Sequence, residues 1–185
     1  DSSTSRGLGD VYKRQFMEVM ESALMKGYTF AWGADVSEKG FGYRDALAIL
    51  PEDESTIKKS GKDSKRYNDA GAERISNAFN SPVKEKQISQ KDRQIAFDNQ
   101  ETTDDHGMHV TGLVEDQNGT KYFIVKNSWG ESNEKDGYFF ASFPYVRYKT
   151  LNIQVHKDVL SKDLKKKLGI KSVSYTHLTL PTKRI

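Results

Sequence analysis

A chain of 185 residues is long enough for one ordinary domain with a real hydrophobic core. Hydrophobic residues make up 35% and charged residues 30%, with a formal net charge of +3, too small a balance to argue by itself for a nucleic-acid or membrane partner. The chain has no cysteine, which excludes disulfides, thiolate metal sites and a cysteine nucleophile within these residues.

Residues 1–15 (DSSTSRGLGDVYKRQ) and 171–185 (KSVSYTHLTLPTKRI) share no periodicity with their neighbours. Both resemble translated adapter sequence, so they are expected to be non-native and are set aside from fold reasoning. The native segment is then expected over 16–170. It opens without the apolar core of a signal peptide, and no apolar run approaches the ~18–20 residues of a membrane span. Localisation stays open.

Phe16, Val19, Met20, Ala23 and Leu24 form the stripe of an amphipathic helix, with Gly27 as its stop. Tyr28–Trp32 reads as a strand. Arg44–Leu50 reads as a short helix or strand. A polar, charged stretch over about 52–88 reads as a long insertion, with one helical candidate at Ala70–Phe79. Ser89 followed by Asp92 is an N-capping pattern for a helix through about Phe97. Val110–Val114 and Lys121–Lys126 read as strands joined through Asn118-Gly119, a strong hairpin signal because both turn positions tolerate positive φ. Gly137–Ser142 and Val146–Val155 read as two further strands, and Ser161 caps a basic helix over Lys162–Leu168, ended by Gly169. The expected fold class is α+β, a helix beside an antiparallel, barrel-like sheet.

The chemistry concentrates on that hairpin. His106 stands in Asp104-Asp105-His106-Gly107-Met108, and Asn127 opens Asn127-Ser128-Trp129-Gly130 just past the second strand. A two-residue turn at Asn118-Gly119 pairs Val110 with Asn127. His106 is an even step from Val110, so it shares the face of Asn127. The offset is about 13 Å at ~3.3 Å per residue, so a bulge or bend is required, with Gly107 and Gly112 as candidates. His109, an odd step away, points to the other face. That argues against a metal site built from Asp104, Asp105, His106 and His109. Asn118-Gly119-Thr120 matches a glycosylation sequon, which the turn explains fully. Gly-x-Ser-x-Gly, Gly-x-Gly-x-x-Gly and phosphate-loop patterns are absent.

A His beside an Asn in this order resembles the pairing that papain-like cysteine peptidases use next to a thiol, and the resemblance implies thiol-based acyl transfer. An imidazolium lowers a neighbouring thiol's pKa, then gives its proton to the leaving amine. An asparagine amide orients the ring without adding charge, and Trp129 is placed to shield that hydrogen bond from water.

The residues that carry a family resemblance are Ala31-Trp32-Gly33-Ala34-Asp35-Val36-Ser37-Glu38-Lys39-Gly40-Phe41, Asp92-Arg93-Gln94, Thr103 through Met108, Lys121 through Gly130, and Tyr145-Val146-Arg147-Tyr148-Lys149. Over nearly all of 16–170 the chain resembles the C-terminal part of the bleomycin hydrolase or aminopeptidase C branch of the papain-like cysteine peptidases. The resemblance implies a papain-like fold. Mainly its antiparallel, barrel-like half with flanking helices would be present, without the helical half bearing the nucleophile. It implies His106 as catalytic histidine, Asn127 as its orienting residue and Trp129 in support. It implies peptide substrates with a free amino terminus, a homo-oligomer (a hexamer in the family), and a C-terminal arm here at Val159–Ile170. No cofactor and no membrane partner are implied. The family's nucleophilic Cys and oxyanion Gln have no counterpart here, so this chain alone is expected to be inactive, with its His106–Asn127 face abnormally exposed. A papain-type endopeptidase and a non-catalytic homologue stay open as alternatives.

Overall fold

A computed structural model describes residues 16–57, 78–103 and 106–170. Helix α1 (residues 16–25) leads into strands β1 (Phe30–Ala34), β2 (Phe41–Gly42) and β3 (Leu47–Ala48). Helix α2 (Gln90–Asp98) precedes strands β4 (His106–Glu115), β5 (Lys121–Lys126) and β6 (Tyr138–Ser142). Helix α3 (Phe143–Lys149), strand β7 (Thr150–Gln154) and helix α4 (Lys162–Lys167) complete the described chain. Seven strands form one sheet in the order β2-β3-β6-β5-β4-β1-β7. Every pairing is antiparallel except β3 with β6, which is parallel. The helix expected at Ala70–Phe79 falls mostly outside the described residues.

Period-two alternation decides which face is core. Phe123 and Val125 of β5, Phe139 and Ala141 of β6, Met108 and Val110 of β4 and Phe30 and Trp32 of β1 are all buried on one face. Met17, Met20 and Ala23 of α1 and Tyr145 and Val146 of α3 join them in a single cluster. Tyr122, Ile124, Tyr138 and Phe140 therefore take the outer face.

The expected strand Val146–Val155 is two elements. Ser142 caps a helix, its hydroxyl accepting from the Tyr145 N–H at 3.2 Å, and Pro144 sits in the first turn. Thr150 ends that helix and begins β7. These caps outweigh the β propensity of a run rich in aromatics. The cap expected at Ser89 is a full capping box with Asp92.

Beneath α3 lies a buried polar network. Lys149 is 1% exposed and Asp35 1% exposed. The Lys149 ammonium pairs with Glu38, stands 3.8 Å from Asp35 Oδ2 and donates to the Glu101 carbonyl at 2.7 Å. Asp35 accepts from the Thr103 N–H at 3.0 Å and from the Ser37 N–H and hydroxyl. On the outer face, the half-buried Glu85 accepts from the Leu50 N–H at 2.6 Å and the Ser142 hydroxyl at 2.5 Å, fastening residues 78–86 to the sheet. Burial pushes the Glu85 carboxyl above its ordinary value of 4.5, partly offset by those two hydrogen bonds.

Asp35→Ala strips a buried cation of a partner and orphans the Thr103 N–H, so urea denaturation should register a loss of about 3–5 kcal/mol. Lys121→Ala, which breaks an exposed pair with Glu21, should leave the midpoint essentially in place. The raised Glu85 pKa sets a sign for pH. Between 4.5 and its folded value, the folded state binds the extra proton, so stability falls as pH rises. The stability of the native chain relative to Glu85→Gln should therefore be greatest below pH 4.5 and decline as pH rises above it; a difference flat with pH would refute this.

Candidate active site

The hairpin that carries His106 and Asn127 departs from the expected ladder twice. Its connection is a three-residue loop, not a two-residue turn: Asp116 N donates to Thr120 O at 3.0 Å and Gly119 N donates to Asp116 O at 3.0 Å. Gly119 alone in this loop has positive φ, at +80°, the arrangement of a type I turn closed by a glycine bulge. The second departure is in β4. Val110 pairs with Val125 while Gly112 pairs with Ile124, leaving Thr111 as an extra residue. Each irregularity advances the register by one. The loop moves the position opposite Asn127 from Val110 to His109, and the bulge moves it on to Met108.

The two shifts set facing and reach together. One shift alone would have aligned Asn127 with His109 on the wrong face, because a single-residue slip inverts every side chain. Two shifts restore parity and cut the offset to His106 from four residues to two, about 7 Å at ~3.3 Å per residue. Side chains span that remainder. His106 Nε2 and Asn127 Oδ1 lie 2.6 Å apart. On its other side, His106 pairs with Ala34 of β1. His109 is exposed and points the opposite way, so the two histidines do not converge. Among the described residues, no group of three His, Cys, Asp or Glu is placed to hold a metal ion.

The amide orientation fixes the tautomer. Asn127 Oδ1 also accepts from the Ser128 N–H at 2.7 Å. A flipped amide would oppose two N–H groups, so the oxygen must face Ser128. An acceptor oxygen then requires that His106 Nε2 carry the proton, which leaves Nδ1 as the nitrogen free for proton transfer. Asn127 Nδ2 is buried without a hydrogen-bond partner among the described residues.

Trp129 covers this bond. Its ring lies 4.7 Å from the His106 ring at 31°, and meets Phe41 at 5.7 Å and Tyr43 at 5.2 Å edge to face. Asn127 is consequently 4% exposed, while Trp129 is 46% exposed. The expectation of an abnormally open His–Asn face holds in part: His106 is half-buried and the Trp129 indole is exposed, but the Asn127 amide beneath it is buried.

Two supports were not read from the sequence. Tyr43 Oη donates to the Gly130 carbonyl at 2.5 Å. Asn133 Nδ2 donates to the Tyr43 and Tyr138 carbonyls, while its Oδ1 accepts from the N–H groups of Lys135 and Gly137. The loop closes tightly at Gly137, φ +81°, where a Cβ would stand 2.4 Å from the Gly130 carbonyl. An asparagine in a polar loop carries no sequence signal of such a bridging role. The run into His106 is held from behind by the Asp35–Lys149 network through Glu101 and Thr103.

Comparison with known proteins gives a consistent picture. A model of the Peptidase C1-like family matches residues 56–177. Aminopeptidase C of Listeria innocua serovar 6a is 41% identical over 59 residues, which make up 32% of this chain and 13% of that protein. Aminopeptidase C of Lactobacillus helveticus is 39% identical over 71 residues, 38% of this chain and 16% of that protein. The crystal structure of pepw from Lactobacillus rhamnosis HN001 superposes with a TM-score of 0.55 at 18% identity, covering 84% of this chain and 29% of that one. The α+β fold is papain-like, and the chain spans only a small part of the relatives it matches.

Nitrogen-15 NMR of the neutral His106 imidazole should find Nε2 protonated and Nδ1 bare. Asn127→Ala should weaken that preference toward the ratio of a free histidine side chain; a dominant Nδ1–H tautomer in the unaltered chain would contradict the amide assignment.

Proposed function

This chain belongs to the Peptidase C1-like family, and from that premise we propose that it supplies the acid–base half of a cysteine-type aminopeptidase. In this reading His106 is the proton-transfer residue, Asn127 orients it and Trp129 keeps water from the bond between them. The nucleophile comes from polypeptide outside these 185 residues, since they contain no cysteine. The observation that carries the reading is the 2.6 Å contact of His106 Nε2 with an amide whose orientation the Ser128 N–H locks.

The chemistry follows from that contact. With Nε2–H directed at Asn127, Nδ1 faces away and is free to take a proton from a thiol, giving a thiolate and an imidazolium. The imidazolium returns the proton to the leaving amine as the acyl-enzyme forms. A neutral amide stabilises the ring orientation in both states without fixing a charge beside it. Peptides are the substrate class. Trimming from the amino end is favoured because several matched relatives are named aminopeptidases C or G. Homo-oligomeric assembly of the whole protein is part of the same proposal.

The test has two arms. The 185-residue chain, purified alone, should release no product from aminoacyl-coumarin substrates; robust turnover by it would sink the proposal. An in-frame, cysteine-containing chain that includes these residues should hydrolyse them, and His106→Ala should lower its kcat by roughly 10²–10⁴-fold. Asn127→Ala should cost less and leave KM little changed.

A further inference from the structure

The outer face of the sheet holds a cavity of about 310 Å³, roofed by residues 78–85. Its walls are apolar: Leu47 and Phe140 from β3 and β6, Ile49 beside them, Val83 above and Val114 at the rim. This volume is at the small end of the range for ligand sites. It lies far from His106, because Val114 is eight residues further along β4, roughly 26 Å at ~3.3 Å per residue.

Its charged groups share one sign, beside the neutral Asn80, Ser81 and Gln117. Glu85, Glu115 and Asp116 line it together with Tyr122, and no Lys, Arg or His is among the described lining residues. Glu85 spends one carboxylate oxygen on Leu50 and Ser142, while its other oxygen accepts no hydrogen bond among the described residues. The Tyr122 hydroxyl reaches Asp116 Oδ2 at 3.5 Å. Burial, then the charges of Glu85 and Asp116, push the Tyr122 phenol up to about 12, so it stays a neutral donor. A half-buried carboxylate without a cation costs free energy that a bound cation would restore.

We infer that this cavity is a binding site for an organic cation with an apolar stem, an ammonium or guanidinium group facing Glu85 while its hydrocarbon part lies against Leu47, Val83 and Phe140. Charge complementarity fixes the sign of the ligand, and the apolar walls fix its body. The site is independent of the His106–Asn127 pair.

Two-dimensional NMR titration of the whole chain tests this with three probes: phenethylammonium, neutral 2-phenylethanol and the peptide N-acetyl-Ala-Arg-Ala-amide. Saturable shifts at Leu47, Val83, Tyr122 and Phe140 are expected with at least one cationic probe, and at least tenfold weaker binding of 2-phenylethanol. Response to the amine points to a small-molecule source, and response to the peptide alone points to a basic side chain; either supports the site. Glu85→Gln and, at the exposed rim, Val114→Lys should each weaken binding at least tenfold. Equal binding of the neutral probe, shifts confined elsewhere, no response to either cation, or affinity unchanged in both variants would overturn the inference.

Discussion

The site depends on the register of one hairpin. A glycine-closed loop at Gly119 and an extra residue at Thr111 each slip the β4–β5 ladder by one. Either slip alone would turn His106 and Asn127 to opposite faces. Together they keep the faces aligned and bring the two residues from beyond reach to 2.6 Å. The bulge thus belongs to the class that re-aims a side chain beside a functional site.

A single histidine–amide hydrogen bond is worth only about 1 kcal/mol net, too little to hold two strands in place. The scaffold does the holding. From one side, Trp129 is set against His106 by Phe41 and Tyr43, and its loop is tied down by Asn133. From the other, Asp35 and Lys149 grip the backbone at Thr103 and Glu101, just before His106. Charges buried this deeply are retained at a desolvation cost, and here they hold the backbone at Glu101 and Thr103 against β1 and α3. Ser128 contributes only its N–H, yet that donor decides which end of the Asn127 amide meets the imidazole.

Much of this was legible in the chain. The 3.6-residue stripe of α1, the Ser89–Asp92 capping box and the alternation of β5 are local signals, and each produced its element near the expected bounds. Helix α3 was misread as strand because Tyr145, Val146 and Tyr148 favour β structure, although Ser142 and Pro144 were available as start signals. The shared face of His106 and Asn127 was anticipated from a two-residue turn; it holds because the turn and the bulge each add a residue and their errors cancel. Neither irregularity can be placed from Asn118-Gly119 alone, since that pair serves both turn types. Lys149 in the core and Asn133 as a bridge were invisible: long-range partners, not local pattern, decide their roles.

The central claim is the doubly shifted register, and cross-strand nuclear Overhauser effects between β4 and β5 test it most directly. The account predicts contacts of Val110 with Val125 and of Gly112 with Ile124, with Thr111 unpaired between them. An unbroken ladder, with Val110 opposite Asn127, would contradict it and separate His106 from Asn127 beyond hydrogen-bond reach.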